Sequence, residues 1–104
     1  MKNHELDLDL EYLAIIKNIL QKHLPATAKI GVFGSRVTGK ARKYSDVDLL
    51  IDLSEKPVPM AILAQLATDF EESDLPFKVD IVDWNTISDE FRKYISSEII
   101  NLTF

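Results

Sequence analysis

The residues of this chain that could do chemistry lie in one short run, GVFGSRVTGKARKYSDVDLLIDL, at positions 31–53. The run contains Gly34 and Ser35, four cationic side chains, and two aspartates, Asp46 and Asp48, that stand one residue apart. Glycine lets a backbone approach a phosphate closely, and a serine hydroxyl adds a donor to phosphate oxygens. Aspartates supply the oxygen ligands that hard divalent cations prefer. The pattern therefore predicts a site for a small polyanion that carries a divalent cation.

A third aspartate, Asp80, is predicted to join the first two. In SDVDLLIDL the alternate residues that begin with Val47 are apolar, which sends Asp46 and Asp48 to the opposite surface of a strand. In FKVDIVDW the residues on either side of Asp80 are apolar, so Asp80 faces that same surface if the two strands are parallel neighbours. Neighbouring strands lie about 4.8 Å apart. We therefore expect three carboxylates to converge.

Carboxylates this close together repel one another. Two unit charges about 4 Å apart interact by about 4 kcal/mol at an effective dielectric constant of about 20. A divalent cation offsets that repulsion, and Mg²⁺ is usually held by one or two carboxylates together with substrate phosphates and water. Taken alone, an Asp-x-Asp strand is more simply explained as the solvated face of a half-exposed strand. The Gly-Ser step and Asp80 together favour the metal site.

The flanking sequence predicts an α/β (α+β) fold: a small mixed β-sheet of about three strands with helices packed on it. A first amphipathic helix ends near His23, before Pro25, and a second begins at Pro59. The predicted strands are KIGVFG, SDVDLLIDL and FKVDIVDW. A last helix, capped by Thr86 or Ser88, is expected to bury five apolar residues: Phe91, Tyr94, Ile95, Ile99 and Leu102.

Composition limits the class of protein. With 104 residues and a hydrophobic fraction of 46%, the chain is expected to form one globular domain over residues 1–104. The net charge of −5 argues against an extended nucleic-acid surface. The chain has no cysteine, its N-terminus lacks the basic start of a secretory signal, and no apolar run is long enough to span a membrane. We therefore expect a cytoplasmic protein without thiolate metal sites.

With these residues assembled, the chain resembles the bacterial minimal nucleotidyltransferases of the DNA polymerase β nucleotidyltransferase superfamily. The pattern of that family is Gly-Ser, ten residues, then Asp-x-Asp, with a third aspartate on a later strand. The segment GSRVTGKARKYSDVD fits the pattern without a gap, and KVDIVDW supplies the third position as Asp80. The resemblance extends from the first helix to the C-terminal segment.

The resemblance implies a role for each residue of the motif. Asp46 and Asp48 would bind Mg²⁺ ions that bridge to the phosphates of a nucleoside triphosphate, and Asp80 would complete a second metal site. The second ion, with Asp80, would help to deprotonate an acceptor hydroxyl, which attacks the α-phosphorus and expels pyrophosphate. Gly34 and Ser35 would hold the β- and γ-phosphates. Besides these five residues, Arg36 would neutralise the triphosphate.

The resemblance also implies a partner. Minimal nucleotidyltransferases are similar to the antitoxin half of two-gene modules whose other half is a helical HEPN protein, often a ribonuclease toxin. In such modules AMP from ATP is transferred to a tyrosine of the toxin, so a protein adenylyltransferase acting as an antitoxin is the first expectation. The alternative is a non-catalytic module that binds nucleotide or docks on its HEPN partner and neutralises it by complex formation.

Several other residues receive no role from the sequence. Lys40 and Arg42 are compatible with phosphate contacts or with a solvated basic loop, and Tyr44 and Trp84 with nucleotide contacts or with packing. His4 and His23 lack acidic or cysteine neighbours at ligand spacing, so neither is expected to bind a metal.

Overall fold

Four helices and four strands make up the part of the chain that the computed structural model describes, residues 6–102. In chain order the elements are α1 (Leu10–His23), β1 (Lys29–Phe33), α2 (Ser35–Thr38), β2 (Val47–Asp52), α3 (Met60–Glu72), β3 (Val79–Asp83), α4 (Asp89–Ser96) and β4 (Ile100–Leu102). Within these residues, no helix is long and apolar enough to cross a membrane. His4 lies outside the described residues.

The strands form one mixed sheet in the order β3-β2-β1-β4. Strand β1 pairs antiparallel with β2 on one side and with β4 on the other. Strands β2 and β3 pair in parallel, with α3 in the crossover between them. The parallel pairing of these two strands is the arrangement that the aspartate pattern requires.

The main core lies on one side of the sheet, under α1 and α3. Val47, Leu49 and Ile51 of β2 are each 0% exposed, as the alternation along this strand predicts. They pack with Ile16 and Leu20 of α1 and with further residues of the sheet and helices: Ile30, Val32, Leu66 and Phe70. This face holds the sheet against the two longest helices.

The opposite side of the sheet carries a smaller apolar cluster under α4. Phe33, Leu50 and Ile95 are buried there, with Phe91 and Trp84 packed against them. Because Leu50 has the same parity as Asp48 along β2, the cluster and the aspartates share one face of the sheet. Helix α4 therefore covers one part of this face and leaves the part that carries the aspartates more open.

The prediction for the C-terminal segment was wrong in two respects. Helix α4 ends at Ser96, and Ile100–Leu102 forms a fourth strand along the free edge of β1. Tyr94 was expected on the buried side but is 73% exposed. A helical period and a short β-branched strand are hard to separate in an apolar run, and pairing with β1 decides between them. The sheet therefore has four strands instead of about three.

Candidate active site

Asp48 and Asp80 lie side by side on the open face of the sheet. In the parallel register of β2 and β3, Asp48 is the direct partner of Asp80. Asp48 is half-buried, and the side chain of Asp80 is 42% exposed, so neither turns into the main core. Asp46 immediately precedes β2, is exposed, and has the same parity as Asp48. The strands thus place all three aspartates at one end of one surface.

The electrostatics of this surface are unfavourable for anions. Burial raises the pKa of Asp48, and the charges of Asp80, Asp46 and Glu98 raise it further, in that order. The site therefore concentrates negative charge around Asp48. A bound cation would relieve this repulsion.

The carboxylates have the right chemistry for a hard divalent cation, but they are not gathered into a ligand set. Among residues 6–102, no three acidic, histidine or cysteine side chains converge closely enough to hold an ion. Asp80 Oδ1 lies 3.6 Å from Lys78 Nζ, an interaction that competes with an ion for this carboxylate. Carboxylate oxygens match the ligand preference of Mg²⁺, so the residues fit such an ion if they turn towards one another.

Gly34 forms the bend between β1 and α2, directly beside Asp48. Its φ of 82° and ψ of −154° belong to a region that essentially only glycine occupies. A Cβ atom at this position would collide with Asp48 Oδ2. The carbonyl of Gly34 accepts hydrogen bonds from the amides of Val37 at 3.0 Å and Thr38 at 3.1 Å, which forms the short helix that begins with Ser35. The Gly-Ser turn is therefore in contact with Asp48.

Glu98 is a fourth acidic residue at this site, and sequence reasoning missed it. The amide of Gly34 donates a hydrogen bond to Glu98 Oε1 at 3.0 Å. The sequence offered no signal for this contact, because the segment that contains Glu98 was taken as the end of a helix. Only the pairing of β4 with β1 brings it to the Gly-Ser turn.

Arg36 occupies a different position from the one expected of a residue that neutralises a triphosphate. Its side chain is buried, with 6% of the residue exposed. The guanidinium donates to the carbonyl of Ser45 at 2.8 Å and to that of Asp7 at 3.1 Å, and its Cζ lies 4.8 Å from the centre of the Phe77 ring. Since Ser45 immediately precedes Asp46, Arg36 holds the loop that leads into the aspartate strand.

The residues without an assigned role also have defined surroundings. Tyr44 is exposed, and Lys43 Nζ lies 5.3 Å from the centre of its ring. Trp84 packs on the cluster under α4, and its carbonyl accepts hydrogen bonds from the guanidinium of Arg92. His23 Nε2 lies 2.6 Å from Asp69 Oδ2, which links α1 to α3. Packing and helix-to-helix contacts therefore explain Trp84 and His23.

Comparison with known proteins agrees with this geometry. Residues 15–103 match the family described as "Polymerase beta, Nucleotidyltransferase". The chain belongs to this nucleotidyltransferase family. The match includes the Gly-Ser turn and all three aspartates, so the motif residues and the family assignment concern the same part of the chain.

Individual relatives carry more specific names. The chain is 50% identical over 91 residues to the "Probable protein adenylyltransferase MntA" of Haemophilus influenzae, covering 88% of this chain and 78% of that protein. A solved structure described as a candidate minimal nucleotidyltransferase is 33% identical, with a TM-score of 0.69 over 91% of this chain and 97% of the other. A crystal structure of a toxin-antitoxin with AMP-PNP has a TM-score of 0.70 at 23% identity, covers 86% and 71% of the two chains, and supports the fold alone.

Proposed function

We propose that the protein is a Mg²⁺-dependent adenylyltransferase that transfers AMP from ATP to a hydroxyl group of a protein partner. The observation that carries the proposal is the register pair of Asp48 and Asp80 on an open face, with Asp48 in contact with the Gly34 turn. A nucleotidyltransferase needs these two elements together, because phosphate binding and charge neutralisation must act on the same triphosphate.

The proposal gives the chain's own residues distinct tasks. Asp46, Asp48 and Asp80 would hold the divalent ions, and Asp80 would also accept the proton of the acceptor hydroxyl. Gly34 lets the backbone approach the β- and γ-phosphates, and the hydroxyl of Ser35 donates to their oxygens. Bound Mg²⁺ would neutralise the triphosphate and stabilise the charge that develops as pyrophosphate leaves.

The structure favours a role for Arg36 in stabilising the loop before Asp46. Direct contact with phosphate stays a prediction and would require its hydrogen bonds to Ser45 and Asp7 to break. A buried guanidinium that donates to three backbone carbonyls, those of Ser45, Asp7 and Lys43, stabilises the loop before Asp46, because removing it would deprive those carbonyls of this donor.

The partner in this proposal is a HEPN-family toxin, and the acceptor is one of its tyrosines. The support is the name of the relative that is 50% identical, a protein adenylyltransferase, and the fold shared with a chain of a toxin-antitoxin structure. Attaching AMP to the toxin would make this chain the antitoxin, acting in the cytoplasm.

A second candidate is a non-catalytic module that neutralises the same partner by docking. The observation that favours it is the lack, among residues 6–102, of three side chains already gathered as metal ligands. In this alternative the acidic face is retained without turnover, and complex formation alone would inhibit the partner.

Label transfer separates the two candidates. The protein is incubated with ATP labelled at the α-phosphate, Mg²⁺ and the protein encoded by the neighbouring gene. The test variant combines Asp46→Asn with Asp48→Asn. The matched control combines Glu71→Gln with Asp74→Asn, which makes the same change in charge at exposed positions in another part of the chain.

The adenylyltransferase proposal predicts label on the partner with the wild type and the control, and none with the test variant. Digestion of the labelled partner should place the AMP on a tyrosine. The docking module would instead be supported if the test variant transfers no label and still inhibits the partner at the same stoichiometry as the wild type. Label that persists in the test variant contradicts the assignment of Asp46 and Asp48.

A further inference from the structure

Glu98 reaches the Gly-Ser turn because β4 extends the sheet towards it. Helix α4 ends before Glu98, whose amide donates to the carbonyl of Ile95 at 3.0 Å. Strand β4 then pairs antiparallel with β1, with Val32 opposite Ile100. If this register is continued by two residues beyond the pair of Val32 and Ile100, Gly34 lies opposite Glu98. The sheet register itself therefore brings the two residues together.

The side chain of Glu98 takes the place of a missing strand partner. Backbone pairing between β1 and β4 stops at Val32 and Ile100. Beyond that point the amide of Gly34 donates to Glu98 Oε1 at 3.0 Å, in a partly buried position. A hydrogen bond from a backbone amide to a carboxylate is stronger than one between neutral groups. Glu98 thus satisfies an amide that the strand ladder leaves free.

Gly34 is held on three sides. Its amide donates to Glu98, its carbonyl accepts from the first turn of α2, and its Cα faces Asp48 Oδ2 so closely that no Cβ would fit. Glycine loses more conformational freedom on folding than any other residue, so a glycine beside a reactive site needs such contacts to keep one conformation. A change in φ or ψ at Gly34 would change the direction of the chain that follows and so displace Ser35.

We propose that Glu98 is a positioning residue that fixes the peptide between Phe33 and Gly34, and through it the conformation of the Gly34-Ser35 turn, whose Gly34 lies beside Asp48. The consequence for catalysis rests on the proposed function, in which Gly34 and Ser35 hold the phosphates of ATP. We attribute the effect of Glu98 to its hydrogen bond with Gly34 and not to its charge. The charge is unfavourable here, because it adds to the repulsion that raises the pKa of Asp48. Glutamine, which keeps an acceptor oxygen without the charge, should therefore replace Glu98 in large part.

The composition of the chain makes the contact directly measurable by NMR. The sequence has 3 glycines, so protein labelled with ¹⁵N-glycine gives three backbone signals. Gly34 is the one glycine that follows a phenylalanine, and ¹³C-carbonyl labelling of phenylalanine identifies its signal. The signals of Gly31 and Gly39 report whether the rest of the fold is intact.

The three proteins to compare are the wild type, Glu98→Gln and Glu98→Ala, with Glu90→Ala at an exposed position of α4 as the control. In metal-free buffer, the Gly34 amide of Glu98→Ala should exchange with solvent about tenfold faster than that of the wild type, as expected for a lost hydrogen bond to a charged group. Glu90→Ala should stay near the wild-type rate, and Glu98→Gln should lie between the wild type and Glu98→Ala, because a neutral acceptor makes a weaker hydrogen bond. Unchanged exchange in Glu98→Ala, or equal loss in Glu98→Gln, would overturn the proposal.

Transfer kinetics test the consequence for the reaction. Glu98→Ala should raise the KM for ATP about tenfold, with a smaller change in kcat, because the contact orders the phosphate-binding turn before chemistry. Glu98→Gln should restore the KM in large part. A Glu98→Ala variant with wild-type KM would overturn the role in positioning. A wild-type protein without transfer activity would refute the proposed function, while the glycine exchange would still test the contact of Glu98.

Discussion

The two sides of the sheet handle carboxylates in opposite ways. On the side of the helices, Asp69 of α3 accepts a hydrogen bond from His23, which holds the pKa of Asp69 below its ordinary value, and Lys22 lies nearby. On the open side, burial and three neighbouring carboxylates raise the pKa of Asp48. The first arrangement stabilises the folded chain as it stands. The second lowers its stability unless a cation binds.

This difference indicates that the helix side of the sheet stabilises the fold and that the open side carries the candidate site. Strand β2 contributes to both sides: the side chains of Val47, Leu49 and Ile51 are fully buried under the helices, while Asp48 faces the other way. Functional sites commonly retain such unfavourable charges at the expense of stability. Replacing a carboxylate on each side, Asp69 on one and Asp48 on the other, should therefore change stability in opposite directions.

The largest change in stability is expected on the helix side. Leu49→Ala removes a fully buried side chain and leaves a cavity in the main core, which should lower the free energy of unfolding by about 2–5 kcal/mol. Leu10→Ala is the matched control, since Leu10 is 82% exposed, and should change it by less than about 0.5 kcal/mol. Urea denaturation measures both. Equal effects of the two substitutions would contradict the assignment of the core.

The next largest effect is expected at the bend. Gly34→Ala forces a side chain into a backbone region that costs about 1–3 kcal/mol and also pushes against Asp48 Oδ2. Gly39→Ala is the matched control: Gly39 also has a positive φ, of 81°, but a Cβ there would meet no atom within 4 Å. Both variants should be destabilised in urea, and Gly34→Ala alone should also lose AMP transfer. Full transfer activity in Gly34→Ala would show that the contact with Asp48 is not needed.

A smaller effect, of opposite sign, is expected for Asp48→Asn. Because the pKa of Asp48 in the folded chain lies above its ordinary value, the ionised carboxylate lowers stability at neutral pH, and asparagine removes that charge. Water screens this half-buried group, so the gain in the free energy of unfolding should stay below about 1 kcal/mol. Urea denaturation at neutral pH in EDTA tests it. A loss of stability in Asp48→Asn would mean that the acidic face is not repulsive.

The smallest effect concerns Asp69 and depends on pH. Since its pKa is lowered in the folded chain, ionised Asp69 contributes stability that is present above about pH 5 and is lost as the pH falls below about 4. Asp69→Asn should therefore unfold more easily than the wild type near neutral pH, and the two should converge in acid. Thermal melting from pH 3 to 7 measures the difference. A constant difference at every pH would contradict the hydrogen bond from His23 as its cause.

The alternation of apolar and acidic residues was enough to predict the central part of the site. Because residues two apart on a strand share a face, the burial of Val47 decides where Asp48 points, and the same holds for Val79 and Asp80. One further assumption, that β2 and β3 are parallel neighbours, then places the two aspartates side by side, and the structure has this pairing.

Glu98 and Arg36 show where the sequence stops being informative. Glu98 depends on the pairing of β4 with β1, a long-range contact that a local apolar pattern does not specify. An arginine after a Gly-Ser step is compatible both with phosphate binding and with a buried clamp on the backbone. Only the positions of the Ser45 and Asp7 carbonyls distinguish the two.

The proposed function requires that Asp46, Asp48 and Asp80 bind nucleotide through divalent ions. Calorimetric titration with α,β-methylene ATP, which cannot release pyrophosphate, tests it most directly. We predict binding that requires Mg²⁺, is abolished by EDTA, and is weakened at least about tenfold by Asp48→Asn and by Asp80→Asn but not by Glu71→Gln. Binding that persists in EDTA and is unchanged in both aspartate variants would contradict the account.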